Sequence, residues 1–165
     1  TAGTAVEYCN AAKDQPSMDL KQYSAVVVGS SLIARGAQKS IQQFVSANAG
    51  VLNEVPSVYF QVSASAGSAS QEGRNAAWRA IEGFLKHQHW APKLTASLAG
   101  AINYTKYPFL LRWYMKRAAA RNGGNTDTSR DHELTDWKQV NQFAADVTSL
   151  VASVPEAASE PALRR

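Results

Sequence analysis

The sequence predicts an α/β domain built on a doubly wound parallel sheet. Short runs of β-branched and apolar residues alternate with helical segments of ~10–15 residues, and this alternation is typical of parallel sheets. The apolar runs lead into loops of small residues at 29–36, 63–73 and 100–108. Because ligands of open α/β sheets bind at the carboxyl ends of strands, these loops indicate where a site should lie.

The first half of the pattern is a strand followed by a helix. Residues 23–29 form a valine-rich run that ends in glycine, which predicts a buried strand. Helical spacing follows through Ile41, Phe44 and Val45. We expect this helix to end near 48–50, where asparagine and glycine can supply a C-cap.

The same alternation continues through the middle of the chain. A second strand is predicted at 57–62, after a proline, and a third at 94–99, before a glycine. Between them, the Ser, Ala and Gly-rich range 63–73 predicts a flexible loop, and 76–86 returns to helical spacing.

A last helix is predicted near the end, with Thr135 as its N-cap. We assign residues 1–153 to one domain and expect 154–165, which has little to bury, to be a loose tail. The apolar stripe of the last helix is Val140, Phe143, Ala144, Val147 and Val151.

Composition limits the function classes. The chain has 165 residues with 45% hydrophobic and 18% charged, as expected of one globular domain. A net charge of +4 is small for a nucleic-acid binder, so no such partner is expected. A single cysteine, Cys9, excludes an internal disulfide and fits a reducing compartment. No apolar run approaches the ~18 residues of a membrane span, and no signal peptide is visible.

Other reactive residue types give weak signals. His87 and His89 lack further metal ligands nearby and are expected to be surface residues, so no metal is predicted. His132 has no nucleophile of defined context, and no Gly-x-Ser-x-Gly elbow supports a hydrolase. Residues 1–5 precede a possible helix start, where glycine, hydroxyls and free amides can cradle a phosphate. A capped helix without a ligand is the alternative for that segment.

Several longer motifs occur in order between residues 23 and 150. They lie at 23–31, 44–45, 56–57, 90–92, 99–101, 104–107, 123–128 and 135–137, and include Trp-Ala-Pro, Tyr-Thr-Lys-Tyr and Gly-Gly-Asn-Thr-Asp-Thr. With these motifs the chain resembles the flavodoxin-domain family of menaquinone-dependent protoporphyrinogen oxidases. The stretch 99–137 is the most specific, because generic flavodoxins lack it. The resemblance identifies 104–135 as a family-specific insert within a flavodoxin-like fold.

The resemblance implies a flavin mononucleotide (FMN) held by three loops. The first would hold the phosphate, the second would lie against the ribityl chain and ring, and the third would face the pyrimidine side of the ring. The implied residues are Thr1, Ala2, Gly3, Thr4 and Ala5, then Ser30, Ser31, Leu32, Ile33 and Ala34, then Ser63, Ala64, Ser65, Ala66 and Gly67.

The chain departs from the family pattern in three ways. The first strand should precede Thr1 and is missing from this sequence. An aromatic residue that stacks near the flavin is replaced by Ala34. The third loop, basic in the family, is neutral here apart from Arg74, so it lacks charged partners for porphyrin propionates. We therefore expect weak porphyrinogen oxidation even with flavin bound.

The segment 104–121 contains aromatic residues and cations but no acidic residue. Taken as one helix, it should bury a stripe formed by Tyr107, Leu110, Leu111, Tyr114, Met115 and Ala118. The opposite side suits an anionic membrane surface, a protein interface or a solvated basic face. The residues assigned to this membrane or partner surface are Lys106, Phe109, Arg112, Trp113, Lys116, Arg117 and Arg121.

The leading interpretation is an FMN-dependent oxidoreductase on the cytoplasmic or matrix face of an energy-transducing membrane. By the resemblance it would pass electrons from a reduced substrate, with a porphyrinogen as the implied candidate, to a quinone. The alternative is a flavodoxin-like accessory subunit of a respiratory-type membrane complex, with FMN lost or non-catalytic. A soluble electron-transfer flavodoxin is disfavoured, because such proteins are usually acidic and lack a basic insert.

Overall fold

A parallel sheet with helices on both faces forms the body of the protein. The computed structural model describes residues 5–13, 19–32, 36–121 and 124–154. Within these ranges the elements are β1 (Val26–Ser31), α1 (Lys39–Glu54), β2 (Ser57–Ser63), α2 (Gln71–His87), β3 (Leu94–Ala99), α3 (Phe109–Arg121) and α4 (Trp137–Ala152). Short 3₁₀ turns occupy Leu20–Gln22, Ser65–Gly67 and Tyr104–Lys106. The predicted doubly wound α/β architecture is confirmed.

The strand order in the described sheet is β1-β2-β3, and both neighbouring pairs are parallel. Ser31 of β1 is in register with Val62, and Ser63 of β2 with Ala99 of β3. The three carboxyl ends therefore lie together along one edge, here called the ligand edge. The strand expected before Thr1 lies outside the described residues, and β1 is the edge strand of the part described.

The main core lies between the sheet and helices α1 and α2. The Tyr59 ring stacks on Phe84 at 5.0 Å and meets Trp90 edge-on at 5.5 Å. The Trp90 indole N–H donates to Ser57 Oγ at 2.9 Å, and that hydroxyl donates to Leu52 O at 2.6 Å, so buried polar atoms are paired. The buried cluster is Leu20, Val28, Val45, Leu52, Tyr59, Ile81 and Trp90.

Helix α4 covers the opposite face of the sheet. Phe60 of β2 meets Phe143 edge-on at 5.8 Å. Gly29 lies beneath Phe60, since a Cβ there would fall 2.3 Å from the ring. An apolar cleft of about 330 Å³ separates the helix from the sheet and is lined by Val27, Phe60, Leu98, Val140, Phe143, Ala144 and Val147. Four residues of the predicted stripe, Val140, Phe143, Ala144 and Val147, therefore face the sheet.

Helix α1 is longer than the sequence predicted. It passes through Gly50 and ends at Glu54, so the predicted C-cap at 48–50 is wrong. The reason is tertiary packing: Leu52 is fully buried in the core, and extending the helix brings it there. The helix ends where Val55 precedes a proline and is extended, with ψ at 156°.

Three other boundaries differ from the predictions. Strand β1 begins at Val26 and includes Ser31, because its last residues pair with β2. The range 63–73 is not an open flexible loop: it contains the 3₁₀ turn, and α2 begins at Gln71 because Ser70 caps it by accepting from Gly73 N–H. The N-cap of α4 is Asp136, not Thr135.

Candidate functional site

The ligand edge brings the second and third predicted loops onto neighbouring strands. The Leu32 N–H donates to Val62 O at 2.8 Å, which joins the start of one loop to the strand that leads into the other. The described predicted residues are Ala5, Ser30, Ser31, Leu32, Ser63, Ala64, Ser65, Ala66 and Gly67. Those outside the described residues are Thr1, Ala2, Gly3, Thr4, Ile33 and Ala34. The assignment of both sets to a cofactor stays a prediction.

Ser30 directs its hydroxyl into the core instead of toward the loop. Ser30 Oγ lies 2.9 Å from Tyr59 Oη, and Tyr59 Oη donates to Gln61 Oε1 at 3.1 Å. Burial raises the pKa of Tyr59, so the phenol stays protonated and able to donate. These three side chains form a buried chain of hydrogen bonds beneath the ligand edge.

The third loop is a tight turn that satisfies several of its own N–H groups. Ser63 Oγ accepts from Ala66 N at 3.1 Å, and the N–H groups of Gly67 and Ser68 donate to carbonyls within the turn. A Cβ on Gly67 would lie 3.1 Å from the Cβ atoms of both Ala99 and Leu134. The turn is therefore packed against β3 and against the segment that follows the insert.

The described part of the ligand edge fits the ring end of a flavin. Ser31, Ala64, Ser65 and Ala66 are small and only half-buried, so a flat ring can approach the backbone closely. The residues predicted to hold the phosphate include Thr1 to Thr4, which lie outside the described residues.

A second cluster fastens the insert to the end of β3. Ile102 and His132 form an antiparallel bridge with backbone hydrogen bonds of 2.8 and 3.0 Å. Tyr104 is fully buried, donates to Asn125 O at 2.9 Å and meets the His132 ring edge-on at 5.8 Å. The sequence treated His132 as uninformative. Two stretches of the sequence could have indicated its role: the Tyr-Thr-Lys-Tyr motif at 104–107 and the Asp-His-Glu run at 131–133. They contact each other in the structure.

The hydrogen bonds of this cluster assign the His132 tautomer. Nε2 lies 2.7 Å from Asp127 O, which can only accept, so Nε2 carries a proton. Nδ1 lies 3.2 Å from Asn125 Nδ2 and acts as the acceptor there. Backbone and side-chain hydrogen bonds from Thr105 hold the pKa of Asp131 below its ordinary value, so Asp131 is an anion at neutral pH.

The insert helix begins later than predicted. Tyr107 precedes Pro108 and is extended, with ψ at 137°, because a residue before proline is disfavoured in the α region. A continuous helix over 104–121 is therefore wrong, and α3 starts at Phe109. Leu111, Met115 and Ala118, which belong to the predicted buried stripe, are half-buried, and no residue of α3 is fully buried.

The exposed side of α3 is more apolar than predicted. Exposures of the large side chains are 80% for Phe109, 77% for Leu110, 56% for Trp113 and 44% for Tyr114. The prediction that Leu110 and Tyr114 are buried is wrong, because the half-buried side of α3 is the one that carries Leu111, Met115 and Ala118. The α3 outer face consists of Phe109, Leu110, Trp113, Tyr114, Lys116, Arg117 and Arg121.

Arg112 does not belong to the α3 outer face. Its guanidinium donates to Thr105 O at 3.3 Å and to Tyr107 O at 3.1 Å, which braces the corner around Pro108. Lys106 is exposed and lies before the helix.

Among the described residues, no group of three His, Cys, Asp or Glu side chains could hold a metal ion. In the same part of the chain, no helix has the length and apolar character needed to cross a bilayer.

A family model described as a flavodoxin domain matches residues 1–129. The chain belongs to the flavodoxin domain family. Similar family members include protoporphyrinogen IX dehydrogenase (quinone) of Escherichia coli strain K12, 32% identical over 130 residues. That match covers 79% of this chain and 71% of the relative. The protein of the same name from Leishmania major is 30% identical over 145 residues, which is 87% of this chain and 62% of the relative. No solved structure gives a significant match. The family resemblance drawn from the motifs is confirmed.

Proposed function

We propose that this flavodoxin-domain protein is an FMN-dependent oxidoreductase that passes electrons from a reduced substrate to a quinone at a membrane surface. The observation that carries the proposal is the match to the flavodoxin domain over residues 1–129, which includes all three predicted cofactor loops. The relatives are named as quinone-linked dehydrogenases, which favours an enzyme over an accessory subunit.

The cofactor would lie along the ligand edge. Ser31 and the turn at Ser65–Gly67 would contact the ring, and Thr1 to Ala5 would bind the phosphate. When bound, FMN supplies the hydride or electron transfer. The protein's part is to position the ring against small side chains and to keep the third loop fixed against Leu134.

Flavin binding is the direct test. The purified chain should be yellow, and the released chromophore should be FMN by chromatography. Thr4→Asp should weaken FMN binding at least tenfold (roughly 1.4 kcal/mol) through repulsion of the phosphate, while riboflavin, which lacks the phosphate, should bind as before. Ser65→Trp should weaken both ligands, and Ser46→Trp on α1 is the matched control. A colourless chain that refuses added FMN would contradict the proposal and favour the accessory subunit.

We propose a porphyrinogen as the reduced substrate, because the relatives are named as dehydrogenases of protoporphyrinogen IX. The structure bears on the strength of that activity, because Arg74, the first cation after the third loop in the sequence, already donates hydrogen bonds to backbone carbonyls. Arg74 donates to Ser68 O at 2.7 Å and to Ala69 O at 2.8 Å, so its guanidinium braces the loop. Propionates would therefore find no free charged partner on this loop.

We accordingly expect slow porphyrinogen oxidation by the flavin-loaded chain. Adding a cation with Ser65→Lys should raise kcat/KM for the porphyrinogen, since charge-assisted hydrogen bonds to carboxylates are strong. Ser46→Lys gives the same change in net charge at a remote site and should have no effect. Rapid oxidation by the unmodified chain would show that these loop cations are not required.

The membrane location follows from the proposed acceptor. Long-chain quinones reside in the bilayer, so an enzyme that reduces them must reach its surface. We place the protein on the cytoplasmic or matrix face of an energy-transducing membrane, where its single cysteine would remain reduced.

A further inference from the structure

The α3 outer face combines apolar exposure with positive charge, and we propose that it binds the headgroup region of an anionic lipid bilayer. Helix α3 would lie in the plane of the membrane with this face toward the lipid. The inference deepens the proposed function: it rests on that function for the identity of the membrane, but the surface itself is argued from the residues below.

The apolar part of the α3 outer face is large enough to indicate a binding surface. Phe109, Leu110, Trp113 and Tyr114 lie on consecutive turns of one helix and are all more than two-fifths exposed. Single exposed apolar residues are ordinary, but a contiguous patch of this kind marks a binding surface.

The charges on the same face select an anionic partner. Lys116, Arg117 and Arg121 share it with the aromatic residues, and residues 104–121 contain no acidic side chain. None of these three cations forms a salt bridge within the described part of the chain. Cations near an anionic leaflet are attracted to it over about a Debye length.

The way the two residue types are interleaved favours lipid over protein. Arg117 lies over the Trp113 ring at 5.8 Å, so a cation and an amphipathic ring occupy the same spot. Trp and Tyr prefer the boundary between headgroups and acyl chains, where one end of the ring is apolar and the other is wet. Lysine, which Lys116 adds to this face, is by contrast depleted at protein interfaces.

The length of α3 sets how it can sit on a bilayer. Its 13 residues span roughly 20 Å, short of the ~30 Å hydrocarbon core, so an in-plane orientation is the one available. The connection 100–108 that leads to α3 starts at the ligand edge, so membrane binding by α3 would tether that edge to the lipid surface.

The contribution of the three cations to membrane binding is measured by flotation with vesicles of phosphatidylglycerol and phosphatidylcholine. The triple variant Lys116→Gln, Arg117→Gln, Arg121→Gln should lower the partition coefficient roughly a hundredfold, since each cation contributes about fivefold near an anionic surface. Pure phosphatidylcholine vesicles should bind the unmodified chain weakly.

The matched control removes the same charge from elsewhere on the surface. Lys39→Gln, Lys86→Gln and Lys93→Gln change exposed lysines that form no salt bridge in the described structure. This variant should bind vesicles within about threefold of the unmodified chain, because the replaced lysines lie outside the α3 outer face.

The depth to which Trp113 enters the bilayer is tested by quenching tryptophan fluorescence with brominated lipid. Trp113→Phe should abolish most of the quenching, whereas Trp137→Phe, which changes an exposed tryptophan on α4, should preserve it. Far-UV circular dichroism should be unchanged in every variant, because the replaced side chains are exposed.

Two outcomes would overturn the inference: vesicle binding that the triple variant leaves intact, or quenching that survives Trp113→Phe. If vesicle binding is unaffected but the triple variant detaches the chain from a purified membrane complex, the face is a protein interface. Failure of the proposed oxidoreductase function is seen separately, because flavin binding and reduction of a water-soluble short-chain quinone need no membrane.

Discussion

The buried hydrogen-bond chain of Ser30, Tyr59 and Gln61 offers a test of how the sheet is held together below the ligand edge. Tyr59→Phe deletes one hydroxyl and keeps the ring that stacks on Phe84. Ser30 is 5% exposed and Gln61 1%, so each would lose a partner in a place that water does not reach. An unsatisfied buried group costs about 1–3 kcal/mol, and with two such groups we expect a loss of about 2–4 kcal/mol.

A second variant separates this cause from simple disturbance of the core. Gln61 Nε2 is buried and has no hydrogen-bond partner in the described structure. Gln61→Met keeps a similar volume, removes that unpaired donor and leaves Tyr59 Oη its contact with Ser30. It should therefore change the free energy of unfolding by less than about 1 kcal/mol.

Urea unfolding, followed by fluorescence and circular dichroism together, measures both variants. The m-values should match that of the unmodified chain if only stability has changed. Tyr8→Phe, which deletes a hydroxyl from an exposed tyrosine, is the control and should be neutral within about 0.5 kcal/mol. If Tyr59→Phe is no worse than this control, or Gln61→Met costs as much as Tyr59→Phe, the reasoning is refuted.

Other predictions concern two glycines and one carboxylate. Gly100→Ala would place a Cβ 2.4 Å from Val62 Cγ1, and overpacking of this kind should cost about 1–3 kcal/mol in urea unfolding. Gly50→Ala adds a methyl group to open space in the interior of α1 and should raise stability by roughly 0.5–1 kcal/mol in the same assay. The pKa of Asp131 is lowered in the folded state from its ordinary value of 3.8, chiefly by hydrogen bonds from Thr105, so its contribution is present above pH 3.8 and is lost as pH falls through the folded value. The stability difference between the unmodified chain and Asp131→Asn should therefore shrink in that acid range, and a constant difference across it would contradict the assignment.

Short-range patterns were enough to predict the architecture. The valine run of β1 and the apolar runs of β2 and β3 correctly predicted a parallel sheet, because strands buried on both faces leave little ambiguity in hydrophobic pattern. The 3.6-residue spacing of α4 predicted which of its sides meets the sheet. The motifs of the insert predicted the family.

What the sequence could not predict depends on contacts between distant residues. The end of α1 was misplaced because the burial of Leu52 outweighs the local preference of Asn48 and Gly50 to end a helix. The exposure of Leu110 and Tyr114 was misjudged because residue spacing gives the periodicity of α3 but not how wide a side of it the rest of the protein covers.

For the candidate site, topology predicted only that the second and third loops share one edge of the sheet. The ligand edge follows from topology, but the inward hydroxyl of Ser30 and the internal bonding of the third loop depend on Tyr59 and on the close approach of Gly67 to Leu134. His132 holds the insert in place through partners as far away as Tyr104, a relation that no local pattern contains.

The way α4 rests on the sheet has a consequence for how the molecule opens. Helix α4, all of which the structure describes, has no fully buried residue, whereas Val58 and Tyr59 of β2 are completely enclosed. Detaching α4 should therefore require less free energy than global unfolding, and its amide hydrogens should exchange before those of β2. In that opened form Phe60 and Leu98 lose their cover, so a protease added to the folded protein should cut within α4 while the sheet and α1 are still intact.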